Sequence, residues 1–136
     1  MDVKGSCHCG SVKFQARLVD GLKTVRRCTC SYCRMRGAVP VSAELGSLTI
    51  LEGAAVLSRY QFNTKTAEHF FCSKCGIYTH HRRRSNPNHY GVNLACLEGC
   101  SPFDLEEIPV VDGVNHPSDT GKLTILGSMK FVKAIR

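Results

Sequence analysis

A mainly β fold of short antiparallel strands with little helix is what the sequence predicts, and three observations predict it. Runs of four to nine residues alternate apolar with polar side chains, glycines punctuate the gaps, and no stretch carries apolar residues at helical spacing for the length of an amphipathic helix. At 136 residues the chain has the size of one domain on one core, so residues 1–136 are read as a single unit. Apolar residues make up 43% and charged residues 21%, ordinary globular usage that argues against a disordered or fibrous architecture.

The first clear element is Ser11 to Val19, where Val12, Phe14, Ala16 and Leu18 alternate with Lys13, Gln15 and Arg17 as in a half-buried strand. Shorter β signals follow at Ala38 to Leu45, Leu48 to Leu51, Ser58 to Asn63, Glu68 to Phe71 and His89 to Cys96, punctuated by Gly46, Gly53 and Gly76. A short helical turn is expected near Ser31 to Arg36. Another starts at Ser101, an N-cap followed by Pro102 at the first helical position, and Pro109 ends it. Asp112 to Lys122, rich in Gly, Pro, Ser and Asp, reads as a surface loop.

With no Trp, 7% aromatics and twelve glycines, such a core lacks large side chains, and nine cysteines offer another way to hold it. Disulfides and metal thiolates compete for those cysteines. Asp2, Lys4, Cys7, His8 and Lys13 interrupt any apolar leader between Met1 and Phe14. No stretch approaches the roughly 18 apolar residues that span a bilayer. A soluble chain of the cytoplasm, or of the nucleus, with no membrane partner is therefore expected, and its odd cysteine count fits complete disulfide pairing poorly. Metal is the favoured reading.

Seven of the nine cysteines stand in three clusters: Cys7-His8-Cys9, Cys28-Thr29-Cys30-Ser31-Tyr32-Cys33, and Cys72-Ser73-Lys74-Cys75 followed by Gly76. In C-x-x-C, two sulfurs of a tight turn converge on one ion at about 2.3 Å, and C-x-C does likewise when the chain bends between its cysteines. Cys7, Cys9, Cys72 and Cys75 would thus make a closed, structural zinc site. Cys28, Cys30 and Cys33 remain, three sulfurs without a fourth cysteine at motif spacing, the ligand count of a catalytic zinc with an open position. A histidine such as His8, His80 or His81, or else Cys96 or Cys100, would close that second site into a structural one, and this alternative stays open. Two zinc ions are expected.

The formal charge is +7, with Arg26, Arg27, Arg34 and Arg36 around the middle cluster and Arg82, Arg83 and Arg84 after the last. Seven thiolates on two Zn²⁺ would lower it to about +4. The mildly basic surface that remains suits a small acidic substrate or a plainly solvated face. Arg26, Arg27 and Arg34 are the candidates for holding substrate carboxylates. A second function class, a zinc-stabilised module that contacts nucleic acid or chromatin through this surface, lacks the interleaved aromatics or recognition helix it would use.

The run Gly5-Ser6-Cys7-His8-Cys9-Gly10-Ser11-Val12-Lys13-Phe14, then Arg27-Cys28-Thr29-Cys30-Ser31-Tyr32-Cys33-Arg34 with Gly37, then Phe71-Cys72-Ser73-Lys74-Cys75-Gly76, resembles the glutathione-dependent formaldehyde-activating enzyme family. Asn93-Leu94-Ala95-Cys96-Leu97-Glu98 is similar to the strand and turn that follow in that family. The resemblance implies a β-tent, a mostly antiparallel zinc-binding fold. It also implies structural zinc on Cys7, Cys9, Cys72 and Cys75, catalytic zinc on Cys28, Cys30 and Cys33, and carbon–sulfur lyase chemistry on a thiol adduct such as that of glutathione with formaldehyde.

The remaining candidates have plainer readings. His80 and His81 beside Arg82 to Arg84, ahead of Asn86-Pro87-Asn88, read as a solvated turn. His69 reads as a surface residue rather than a general base, and His89 has the same standing. Cys96 and Cys100 read as core thiols.

Overall fold

The alternating run at the N-terminus forms the middle of a three-stranded antiparallel sheet in the computed structural model, which describes residues 1–62, 65, 67–83, 89–115 and 117–135. Its strands are β1 (Asp2–Ser6), β2 (Lys13–Arg17) and β5 (Thr49–Glu52), in the order β1-β2-β5. Phe14 and Ala16 of β2 are buried while Lys13, Gln15 and Arg17 face solvent, the period-two pattern read from the sequence. Gly5 stands opposite Phe14 in register. A Cβ there would lie 2.4 Å from Phe14 Cζ, so only glycine lets the ring fold across β1.

A five-stranded antiparallel sheet carries the centre of the molecule, in the order β4 (Pro40–Glu44), β9 (His89–Asn93), β8 (Tyr78–Arg82), β7 (Glu68–Cys72) and β6 (Leu57–Tyr60). A third sheet joins β3 (Arg27–Cys28), parallel to β10 (Glu107–Val111), with the antiparallel β11 (Ile125–Lys130) outside. Among the described residues helix is confined to α1 (Ser31–Arg36), α2 (Pro117–Thr120) and three 3-10 turns at Ala54–Val56, Leu94–Cys96 and Pro102–Asp104. The main core packs Phe14, Leu18, Val39, Val41, Val92, Leu94 and Ile108 between the sheets, with Cys96 and Cys100 at its margin as expected. Each such large side chain, fully buried, contributes about 1.5–3 kcal/mol of transfer free energy. A smaller cluster gathers Cys7, Val12 and Cys72 with Val56, Leu57 and Cys75.

The fold is mainly β with little helix; a helical turn spans Ser31–Arg36 as expected, and the turn expected from Ser101 begins at Pro102, but it stops at Asp104, and Pro109 lies inside β10 instead of ending the helix. Ser101 Oγ accepts from Phe103 N at 3.2 Å, capping the turn that Pro102 begins. Other readings change. β8 was hidden because Thr79, His80, His81 and Arg82 carry no apolar alternation, yet it lies between β7 and β9 at the centre of the sheet. His80, His81 and His69 are therefore buried, neither solvated turn nor surface. β1, β3, β10 and β11 also lacked a clear sequence signal. The expected strand end at Asn63, Arg84 and the Asn86-Pro87-Asn88 turn lie outside the described residues. Asp112 to Lys122 is not all surface loop: it contains α2, and Asp112 is buried, its carboxylate accepting from the N–H groups of Val114 and Asn115 at 3.0 and 2.9 Å. Among the described residues no helix is long and apolar enough to cross a membrane.

Candidate metal centre

All nine cysteines are free thiols, and seven of them converge in two groups. In the first, the turn after β1 brings Cys7 and Cys9 against Cys72, at the end of β7, and Cys75. Cys7 Sγ lies 3.7 Å from Cys9 Sγ, and Cys9 Sγ lies 3.8 Å from Cys72 Sγ. Four sulfurs at about 2.3 Å from a tetrahedral zinc are about 3.8 Å apart, so the donor set fits that ion with little rearrangement. Each half is a tight turn: Gly10 N donates to Cys7 O and Gly76 N to Cys72 O, both glycines holding positive φ. Val12 N donates to Cys7 Sγ at 3.3 Å. The Cys9 thiol, bonded to Ser11, is drawn down to about 6. Cys75 is also lowered, first by its backbone hydrogen bond with Cys9, whereas burial pushes Cys72 up.

The second group stands where β3 runs into α1. Cys28 ends β3, Cys30 is the N-cap of α1 and Cys33 lies in its first turn, with all three sulfurs within 4.8 Å of one another. Cys30 Sγ accepts from Cys33 N at 3.3 Å, taking the place of a capping hydroxyl. At the other end Gly37, at φ 72°, donates its N–H to Cys33 O. A six-residue helix is thus closed at both ends by the cysteine motif itself. Cys30 is pulled down to about 2 by its hydrogen bonds with Cys28 and Cys33, whereas Cys33 is pushed up, first by its bond with Cys28 and then by that with Cys30.

The chain after β10 closes over this group. Thr29 N donates to Val111 O at 3.2 Å and Gly113 N to Thr29 Oγ1 at 3.0 Å. A Cβ on Gly113 would lie 2.2 Å from Cys28 Sγ, so glycine alone allows that approach. None of His8, His80, His81, Cys96 or Cys100 joins the three sulfurs, and among the described residues no fourth donor does.

Beneath α1, the registers of β4, β9, β8, β7 and β6 set Ser42, Gly91, His81, His69 and Tyr60 in one row across the sheet. His69 stacks on His81 at 5.2 Å and on Tyr32 of α1 at 4.5 Å between centroids, and Tyr32 stacks on Tyr60. Arg36, from the last turn of α1, enters this layer. Its guanidinium lies 3.7 Å from the Tyr78 ring centroid, with Nη1 3.0 Å from His69 Nδ1 and Nη2 3.5 Å from Cys33 Sγ. Arginine only donates, so His69 Nδ1 accepts and the ring proton sits on Nε2. Burial first, and then the Arg36 charge, hold the His69 imidazole neutral, down to about 4. Arg36 Nε is buried with no hydrogen-bond partner among the described residues.

A cavity of about 930 Å³ opens beside this layer, lined by Tyr32, Arg36, Tyr60, Phe71, Tyr78 and Asn93 among others. The three arginines singled out from sequence are dispersed. Arg26 Nη1 turns inward to Thr24 O and Ser42 Oγ, Arg27 reaches Met129 Sδ on β11, and Arg34 is exposed on α1. Sequence reasoning listed Arg36 only among the basic residues. The one signal for it was its place three residues after Cys33, one helical turn along the same face.

Three comparisons bear on this arrangement. The model of the glutathione-dependent formaldehyde-activating enzyme family matches residues 2–108. A Halomonas elongata protein, proposed to be a glutathione-dependent formaldehyde-activating enzyme, is 34% identical over 84 residues, 55% of this chain and 52% of that protein. The chain thus spans about half the length of that relative. The crystal structure of a Rhodobacter sphaeroides protein superposes with a TM-score of 0.77 at 55% identity, covering 79% of this chain and 98% of that one.

Proposed function

We propose that this chain, which belongs to the glutathione-dependent formaldehyde-activating enzyme family, makes or breaks a carbon–sulfur bond between a thiol such as glutathione and a small carbonyl such as formaldehyde, at the Cys28, Cys30 and Cys33 site. The observation that carries this reading is the convergence of three sulfurs without a fourth donor among the described residues, with Arg36, which donates to Cys33 Sγ, lining a cavity large enough for a small peptide. The other cluster, four sulfurs within 4.8 Å of one another, would be the structural zinc site that ties β1 to β7.

In the reaction the thiol sulfur bonds to the carbonyl carbon, the C=O π pair moves to oxygen, and oxygen takes up the proton that sulfur gives up. The reverse step releases thiol and aldehyde. A zinc held by Cys28, Cys30 and Cys33 would supply positive charge and an open coordination position at which a thiol ionises near neutral pH. The chain's own residues do the rest. Arg36 donates to Cys33 Sγ and fixes that sulfur, while its packing on Tyr78 and its bond to His69 fix the guanidinium. Its Nε is buried and has no hydrogen-bond partner among the described residues. His69, neutral and stacked on Tyr32, adds no competing positive charge and helps keep water from the layer.

The nucleic-acid alternative is not favoured by the geometry of the arginines. Arg26 and Arg36 bond inward to Ser42 and His69 instead of presenting a basic recognition face. Zinc content by elemental analysis, together with formation of S-hydroxymethylglutathione followed by NMR, tests the proposal. The expected result is two zincs and catalysed adduct exchange in the wild type, and one zinc, a retained fold and no catalysis in Cys30→Ser. One zinc in both proteins, or equal exchange rates, would overturn it.

A further inference from the structure

We propose that a second cavity, bounded by β4, β10 and β11, is a carboxylate site in which Arg26 and Arg83 grip an anionic end of the thiol substrate; this rests on the reaction proposed above.

The two guanidiniums converge on a single neutral atom. Arg26 Nη1 donates to Ser42 Oγ at 3.0 Å and Arg83 Nη1 donates to the same oxygen at 2.7 Å, with Ser42 buried on β4. Two guanidiniums on one hydroxyl stand side by side, and one carboxylate can accept from both forks at once. The four ion pairs among the described residues are Lys13–Glu52, Arg17–Asp2, Arg17–Glu44 and Arg59–Glu68, and none involves Arg26. Burial, reinforced by the neighbouring Arg26, draws Arg83 down to about 10.

The surroundings suit an anion. The cavity is about 380 Å³, Lys23 also lines it, and among the described residues no carboxylate side chain does. Pro109, Val111 and Ile125 supply an apolar wall, and a less polar wall strengthens each charge-assisted bond. It also adjoins the three sulfurs. Val111 lines the cavity while pairing in register with Cys28. Pro109, Val111 and Ile125 all lie beyond residue 108, where the family match ends, so this wall belongs to the part of the chain outside that match.

The test is calorimetric titration of the zinc-loaded full chain with glutathione, its diethyl ester and 2-mercaptoethanol. In the wild type the diester, which has the thiol but no carboxylate, is expected to bind at least about tenfold more weakly than glutathione, one or two charge-assisted bonds being lost. Arg83→Gln and the milder Arg26→Lys should each weaken glutathione about tenfold and leave 2-mercaptoethanol unchanged. If diester and glutathione bind the wild type equally, the carboxylate site is refuted while the thiol reaction stands, and this result needs no variant to fold. Undiminished glutathione binding by Arg83→Gln refutes it too. If the wild type binds no thiol at all, the reaction and the carboxylate site fall together.

Discussion

Gly91 of β9 lies opposite His81 of β8, and the imidazole occupies the space a side chain on β9 would need: a Cβ at position 91 would stand 2.2 Å from His81 Cε1. The missing side chain lets His81 lie flat in the row that supports His69 and Arg36. His81 has no room to retreat, because its Nδ1 shares a 2.6 Å hydrogen bond with Tyr78 Oη, which also donates to Gly91 O.

Gly91→Ala is therefore expected to destabilise the fold by about 2–3 kcal/mol through overpacking. Urea unfolding checks this, and a midpoint within error of wild type would remove the steric argument. The φ of residue 91 is not in the left-handed region, so the effect reads the clash alone.

Gly113→Ala places its methyl 2.2 Å from Cys28 Sγ and 2.8 Å from Cys30 N. The turn after β10 must lift, which disturbs the three-sulfur group but not the four-sulfur one. Zinc is expected to fall from two to about one per chain at unchanged far-ultraviolet circular dichroism. Full occupancy would show that the turn yields freely.

Arg36→Lys keeps the charge and loses the planar fork that bonds His69 and Cys33 while stacking on Tyr78. Loss of one or two charge-assisted bonds predicts a 10- to 100-fold drop in kcat/KM for adduct formation, with both zincs retained. An unaltered kcat/KM would reduce Arg36 to a packing residue.

Cys72→Ser should abolish cooperative folding, because structural zinc contributes on the order of 10 kcal/mol in metal-dependent folds. Thermal unfolding of that variant beside Cys30→Ser separates the two clusters. A native transition in Cys72→Ser contradicts the structural role.

His80 sits in the core row between Val92 and Phe70, stacked on Phe70 at 4.6 Å, and burial holds its imidazole down to about 4 from the ordinary 6.5. Between those values the unfolded chain binds a proton that the folded one refuses. Its contribution is thus complete above pH 6.5 and lost as pH falls towards 4, to the extent of about 3 kcal/mol. His80→Phe removes the titration and keeps a ring. The stability of wild type minus that of His80→Phe, from urea unfolding at pH 7.5, 6 and 5, should narrow on acidification. A constant difference excludes a depressed His80.

The cysteine clusters were legible because metal ligation is written in short spacing: two residues between Cys72 and Cys75, one between Cys7 and Cys9. The β2 strand was legible for a similar reason, since one face is dry and the other wet. β8 was not. A strand covered on both faces by rings and arginines carries no alternation, so Thr79-His80-His81-Arg82 read as a polar turn.

The sequence by itself determined a mainly β chain, the two cysteine groups and the family to which they point, because each depends on residues close in the chain or on one repeated chemical type. Only the tertiary structure decided which cations and rings meet around the sheet. Arg36, His69, His81 and Gly91 are drawn from α1, β7, β8 and β9, and Arg26, Ser42 and Arg83 meet only when β4 lies beside β9. The physical reason is that strand register and glycine-sized gaps set those meetings across tens of residues, and neither leaves a local trace.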